Sequence, residues 1–400
     1  MSVASSPLRI ALLTHSVNPR GGVVHTLELG RALHDAAHDV TIFAPTVAGA
    51  PMFRASPCRV VLADVVAQAD DTVSMVQTRI DALKAALRMH DPDRFDILHA
   101  QDSISGNALA ELREEGTIRG FVRTVHHLDA FANPRLAKWQ ERAYADADAV
   151  YCVSAAWTQK LQNEYGIEAS TVSNGVDLQR FAAAADADAD KQNDVQRCAQ
   201  LGIAGGPVVL AIGGVEERKN TLGLLEAFAQ FRQIHTNAQL VVAGGASLLD
   251  HDSYSRRFTA RADTLGLAIG RGKPLVVTGA LDDAAIATLL RRADVVSMVS
   301  LREGFGLVVL EALAAGKPVV VSRIEPFTGY LNDALCCWAQ PDDARSIADA
   351  LHRALHARGG IDFAHAVPAL LQRFSWRASA LRHIALYRSQ LAQRSREPVI

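Results

Sequence analysis

Short runs of branched apolar residues recur along the chain, and longer stretches with helical spacing stand between them. Arg9–Leu13, Val40–Phe43, Asp96–His99, Phe121–Val125 and Ala149–Val153 are the runs of a first series. A helical pattern over Val23–Leu33 follows the first run, and Val73, Val76, Ile80, Leu83 and Leu87 recur at intervals of three and four. That interval marks one face of an α-helix, whereas a strand buried on both faces reads as an unbroken apolar run. A second series follows: Val208–Ile212, Leu240–Ala243, Leu275–Thr278, Val295–Ser300 and Val319–Val321. Repeated βα units bury such strands in a parallel sheet with helices on both faces. Two series in 400 residues predict two doubly wound, Rossmann-like domains in tandem, since one core of that size would be unusual. In such sheets ligands bind beyond the carboxyl ends of the strands, and with two domains the expected place is an interdomain cleft.

The composition changes between the two series. Ala182–Asp190 is an Ala/Asp repeat with Asp186, Asp188 and Asp190 in D-x-D spacing. That spacing can hold a divalent cation, but here no strand flanks it and the sequence is of low complexity. It reads as a solvated spacer, and no metal site is expected. The expected domains are residues 1–175 and 176–375. A final helix over about 376–394 has no strand after it and is expected to pack back on the first domain.

Hydrophobic content of 49% and charged content of 21% are those of an ordinary globular enzyme. A net charge of −2 gives no electrostatic reason to bind nucleic acid. No apolar run is long enough to span a bilayer, and Met1–Pro7 lacks the charged and apolar regions of a signal peptide. A cytoplasmic protein is the expectation. The five cysteines, Cys58, Cys152, Cys198, Cys336 and Cys337, show no C-x-x-C spacing and read as reduced thiols, with Cys336-Cys337 packed in a strand.

Residues 303–311 carry the most chemistry. Glu303 stands at the mouth of a strand–glycine turn–helix junction, and Glu311 stands in the helix that opens there. Gly304, Phe305, Gly306 and Leu307 lie where backbone N–H groups can approach a phosphate. The two carboxylates suit sugar hydroxyls. Glu311 has apolar neighbours, so it is expected to be buried and to need a partner such as a ribose. Arg218 and Lys219 follow the Gly213-Gly214 turn, where cations suit a pyrophosphate. Gly21 and Gly22 follow the first strand without forming G-x-G-x-x-G, which argues against a dinucleotide site. His126 and His127 follow the strand that ends at Val125, and Asp129 is near enough to orient either ring.

These motifs, in this order and over nearly the whole chain, resemble the retaining GT-B glycosyltransferases of family 4, also called glycosyl transferases group 1. The resemblance rests on Gly21-Gly22, Thr124–His126, Ser173–Asp177, Lys219-Asn220 and the Glu303/Glu311 block. The stretch His15–His25 is also similar to a bacterial subgroup, which does not supply an acceptor. The resemblance implies transfer of a sugar from a nucleoside diphosphate, with UDP- or GDP-sugars the expected donors, to an unidentified acceptor. It implies retention by same-face attack, with the leaving phosphate taking the acceptor's proton, and neither cofactor nor metal. Domain closure would exclude water. His126 would meet the transferred sugar, and Gly21 and Gly22 would meet the donor diphosphate and the acceptor. Glu303 would contact the sugar hydroxyls and Glu311 the ribose. Gly304, Phe305, Gly306 and Leu307 would serve the diphosphate through their backbone.

Two departures stand out. Many members carry arginine directly after the first glycine of the 213–214 turn, where this chain has Gly214, so Arg218 is expected to supply the guanidinium. His127 takes a position often held by aspartate. Asn174-Gly175 reads as a hinge turn, with Asp177 structural. Weak peripheral contact with a membrane surface is compatible with the family. Rival readings are a nucleotide-sugar epimerase on the same fold and a non-catalytic nucleotide-sugar binding protein, with a Rossmann oxidoreductase a distant third.

Overall fold

The computed structural model describes residues 6–66, 71–181, 188–203, 205–244 and 252–395. The chain divides into two compact units, Met1–Gly175 with Phe374–Ile400, and Val176–Arg373. The first unit therefore takes back the chain at Phe374, two residues before the final helix. Phe374 is itself buried, and Ser375 caps that helix through its hydroxyl.

Unit 1 alternates strand and helix. Its elements are β1 (Arg9–Leu13), α1 (Gly21–Asp35), β2 (Asp39–Thr46), β3 (Arg59–Asp64), α2 (Thr72–Met89), β4 (Ile97–Ala100) and α3 (Ser103–Glu114), then β5 (Val122–Val125), α4 (Pro134–Ala145), β6 (Ala149–Cys152), α5 (Ala155–Tyr165) and β7 (Ala169–Thr171). The strands form one parallel sheet in the order β3-β2-β1-β4-β5-β6-β7. Ala11, Leu13, Leu98, Ala100 and Phe121 bury one face against α2 and α3. Asp71, Asp102, Asn133 and Ser154 each accept backbone N–H groups at the starts of α2, α3, α4 and α5. α1 starts without such a cap, at Gly21.

Unit 2 repeats the plan. It contains α6 (Leu178–Phe181), α7 (Asp188–Leu201), β8 (Val208–Ile212), α8 (Thr221–Ile234), β9 (Gln239–Ala243), α9 (Asp252–Thr264), β10 (Leu275–Val277) and α10 (Asp283–Arg292), then β11 (Val295–Met298), α11 (Leu307–Ala314), β12 (Val319–Ser322), β13 (Cys337–Ala339), α12 (Ala344–Leu355) and α13 (Ala366–Arg373). Its parallel sheet runs β10-β9-β8-β11-β12-β13. Both sheets therefore reverse direction beside their first strand, between β1 and β4 and between β8 and β11. That is the switch point at which doubly wound sheets hold ligands. Phe228, Phe231, Leu240, Val242 and Leu351 fill the core between α8, α12 and the sheet.

The last helix, α14 (Trp376–Arg394), belongs to unit 1 and packs along α1. Tyr387 and His383 are fully buried there, and Arg394 pairs with Asp148 at its far end.

Three readings of the sequence need amendment. β3 and β7 lie at the two sheet edges: β7 carries no apolar run, whereas Val60–Ala63 in β3 is a four-residue apolar run that belongs with the first series. The Ala/Asp repeat is not spacer throughout: Asp186 lies outside the described residues, but Asp188 and Asp190 stand in α7. Asp194 anchors that helix, accepting from Arg291 Nε at 2.6 Å and from Thr288 Oγ1 at 2.7 Å on α10. The run Val295–Ser300 leaves the sheet after Met298, and Val299 and Ser300 continue as buried chain.

Candidate functional site

The site in unit 2 forms where β8 and β11 end. Gly213 and Gly214 follow β8 with φ of +131° and +79°, in the region that side chains disfavour. A Cβ on Gly213 would stand 2.9 Å from Cε of Lys219, so the glycine makes room for the lysine to lie across the strand end. The loop Glu216–Asn220 returns into α8. It is tied to the chain beyond β11 by the Leu301 N–H, which donates to the Arg218 carbonyl at 2.9 Å.

Glu303 sits between the two cations. Lys219 Nζ donates to its Oε2 at 2.5 Å, and Arg218 Nη1 donates to its Oε1 at 3.2 Å. The Gly304 N–H donates to Oε1 at 3.1 Å and Ser300 Oγ to Oε2 at 3.4 Å. Arg218 Nη2 also reaches Glu216 Oε2 at 3.4 Å. Burial raises the Glu303 pKa. The Lys219 ammonium and the Arg218 guanidinium outweigh it, helped by the hydrogen bonds from Lys219 and Gly304, and hold it at about 2. Glu303 is therefore ionised at physiological pH, unsuited to act as a general acid and suited to accept from hydroxyls.

α11 opens directly beyond. Its N-cap Gly306 has φ +89°, no side chain caps the helix, and its first turn holds no acidic residue. Backbone N–H groups at such an end favour an anion. A Cβ on Gly306 would lie 2.3 Å from Cε1 of Phe327. The Phe305 ring stacks on Tyr330 with centroids 5.3 Å apart, and Tyr330 Oη donates to the Phe305 carbonyl at 2.6 Å. So Phe327 and Tyr330, in the segment opened by Glu325-Pro326, back the glycine loop. Glu311 stands in α11 half-buried rather than buried, because its side chain leaves the flank formed by Leu310, Ala312 and Leu313.

In unit 1 the corresponding edge is built of imidazoles. His126 follows β5, and its Nε2 is enclosed with no hydrogen-bond partner among the described residues. Gly22 closes on it: a Cβ there would lie 3.8 Å from the His126 Cδ2. His25, on α1, meets His126 edge-on with centroids 4.6 Å apart. His99, His383 and Tyr387 continue the cluster towards α14, with His99 bonded to Tyr387 Oη and Thr124 Oγ1, each at 2.7 Å. Burial lowers all four histidine pKa values, His25 to about 3, His383 to about 4, and His99 and His126 well below the usual range. Asp129 Oδ2 lies 3.4 Å from Nε2 of the exposed His127. Gly21 is exposed with open space above it. Beside this edge Arg123 is buried, and its Nε and Nη1 have no partner among the described residues.

The structure thus gathers Gly214, Arg218, Lys219 and Glu303, with Gly304–Leu307 following Glu303, in unit 2. It gathers Gly21, Gly22 and His126 in unit 1. Asp177 serves its own turn, accepting from the Arg180 N–H at 3.2 Å. Sequence reading passed over Gly244, whose missing side chain admits the Gly214 N at 2.5 Å from where a Cβ would stand, and over His25 and Tyr330. The positive φ of Gly244 has no signature in one sequence, and His25 stood inside a quoted motif with nothing to distinguish it from a core residue.

Two Rossmann-like parallel-sheet domains in one chain are the GT-B fold of glycosyltransferases. The chain belongs to the glycosyl transferases group 1 family: the model of that description matches residues 197–366, and the Glycosyltransferase Family 4 model matches residues 19–180. Among the similar curated proteins, the D-inositol 3-phosphate glycosyltransferase of Saccharomonospora viridis is 30% identical over 76% of this chain and 72% of its own length. The D-inositol 3-phosphate glycosyltransferase 2 of Catenulispora acidiphila is 27% identical over 96% and 95%. Sucrose-phosphate synthase from Thermosynechococcus elongatus shares the fold with a TM-score of 0.77 at 22% identity, covering 96% of this chain and 100% of that one. Anabaena HepE in complex with UDP-glucose does so with a TM-score of 0.73 at 17% identity, over 96% and 100%. No described helix is long and apolar enough to cross a membrane.

Proposed function

We propose that the protein transfers a sugar from a nucleoside diphosphate to an acceptor hydroxyl with retention at the anomeric carbon, without a metal. The observation that carries this reading is the cation pair Arg218 and Lys219 on Glu303, followed directly by the uncapped start of α11. Two cations and a helix N-terminus suit a pyrophosphate whose charge grows as the glycosidic bond breaks. Glu303, ionised between them, suits the hydroxyls of the transferred sugar, and Glu311, further along α11, suits the ribose. Neither glutamate is assigned acid or nucleophile work. The departing phosphate accepts the proton of the acceptor hydroxyl, on the face from which it leaves. His126, neutral and with an enclosed Nε2, suits a hydroxyl of the donor sugar. The donor bound by HepE supports a uridine nucleotide, and the acceptor is assigned to unit 1.

A donor panel tests the reading. Nucleotide release is measured for UDP-, GDP- and ADP-sugars with cell extract as acceptor source, alongside thermal shift. Release with one donor and a product that keeps the donor's anomeric configuration supports it. No release and no thermal shift with any donor sinks it. Glu311→Ala is expected to weaken binding of the bare nucleoside diphosphate, whereas Glu303→Ala chiefly removes the extra affinity that the sugar gives. Equal nucleotide affinity in Glu311→Ala and wild type refutes that division of roles.

A further inference from the structure

We propose that His25 is a positioning residue: it fixes the ring of His126 and links that ring to the Asn174-Gly175 turn that closes unit 1. The proposal rests on the reading of His126 as a sugar-facing group, but its structural part stands apart from turnover.

Three elements clamp His25, which is 1% exposed. Its own helix, α1, begins at the Gly21-Gly22 turn. Its Nδ1 lies 2.8 Å from Oδ1 of Asn174. The ring stands edge-on to Trp376 at the start of α14, with centroids 5.3 Å apart. The turn and α14 are in turn locked together, because a Cβ on Gly175 would lie 2.1 Å from the Trp376 backbone nitrogen. An amide oxygen only accepts, so the amide as oriented makes Nδ1 the protonated nitrogen of His25. Its Nε2 then carries the lone pair, and it is enclosed with no hydrogen-bond partner among the described residues.

That fixed tautomer faces His126. The rings cross at 75° with centroids 4.6 Å apart, a contact that holds an aromatic plane in one orientation. Nε2 of His126 makes no hydrogen bond to the described residues, and a Cβ on Gly22 would stand 4.0 Å from it. The ring that would meet a sugar hydroxyl is thus held by packing, and His25 supplies that packing with a tautomer of its own set by Asn174. A supporting side chain of this kind restricts a binding group to one rotamer before the ligand arrives.

The test compares wild type with His25→Gln, which keeps a donor towards Asn174 but removes the ring, and with Asn174→Ala, which keeps the ring but removes its anchor. Imidazole nitrogen NMR on histidine-labelled full-length protein reads the His126 resonances, assigned through His126→Asn. In wild type, His126 is expected as one neutral ring in one orientation, with a single sharp set of resonances. In both variants those resonances should broaden or split as the ring samples more than one orientation. With a donor that turns over, kcat should fall about tenfold or more while the donor KM changes less than threefold. A His126 spectrum unchanged in both folded variants overturns the positioning role, whether or not any donor turns over. Loss of melting temperature with a wild-type His126 spectrum likewise overturns it, leaving His25 a core residue only. Altered His126 signals with no turnover in any protein would leave the positioning role intact and count against the transferase reading.

Discussion

The two units surround the ends of their strands with different side chains. Unit 2 places ionised groups there, and they satisfy one another: Glu303 accepts from Lys219, Arg218, Gly304 and Ser300. Unit 1 gathers neutral imidazoles beside its strand ends, next to the buried Arg123 and the ionised Asp102, and the Nε2 atoms of His25, His126 and His383 have no hydrogen-bond partner among the described residues. The same strand order supports both edges, so topology sets where a site forms and the side chains set its charge. A charged edge suits a diphosphate leaving group. A cluster of neutral imidazoles with open nitrogens suits hydroxyls, which donate and accept without changing its charge.

The largest expected effect is on the charged edge. Lys219→Ala and Arg218→Ala should each lower turnover by about 10²–10³-fold, the loss typical of one group stabilising developing negative charge. Steady-state rates with the active donor measure it. Residual rates within a few-fold of wild type would show that unit 2's cations hold Glu303 and do little for the donor.

Acid should separate the units next. The His25 pKa of about 3 and the His383 pKa of about 4 lie below the ordinary 6.5. The unfolded chain therefore takes up these protons first, and unit 1 loses stability as pH falls from 6.5. At pH 5 the loss is about 2 kcal/mol for each histidine, from 1.36 kcal/mol per unit of pH. The Glu303 contribution is present above its ordinary 4.5 and is lost only as pH falls from there towards 2. Half-buried His235 and His352 in unit 2, also lowered by burial, add a smaller loss below 6.5. Hydrogen exchange at pH 7 and pH 5 should show protection falling first in α1, β5 and α14. Earlier loss in β8 and β11 would reverse the comparison.

The glycine turns offer a finer contrast. Gly306→Ala puts a Cβ into Phe327 at a backbone angle that side chains avoid, and should cost about 1–3 kcal/mol in urea unfolding. Gly21→Ala meets open space at a helix start and should shift stability by less than about 1 kcal/mol, in the favourable direction. A penalty at Gly21 equal to that at Gly306 would mean that both turns are equally crowded.

Much of this was legible in the chain. Continuous apolar runs mark the buried strands because both faces of a parallel sheet are covered, and the runs Arg9–Leu13 and Val208–Ile212 have the bounds of β1 and β8. Edge strands such as β7 escaped because three half-buried residues leave no periodic signal. Glu303, Arg218 and Lys219 could be named from their places after strands, since strand ends are where such sheets bind. That they form one ion-paired cluster could not be read, because 84 residues separate Lys219 from Glu303 and only the pairing of β8 with β11 closes that distance. The half-burial of Glu311 is not legible from its apolar neighbours, because neighbours in sequence are not neighbours on a helix surface.

The sequence by itself determined the alternation, hence two parallel sheets, and the residue types available at their carboxyl ends. Tertiary structure alone decided which of these meet and in what protonation state. A pKa depends on burial and on charges brought close by folding, so the glutamate held at about 2 and the histidine at about 3 exist only once Lys219 reaches Glu303 and α14 covers His25.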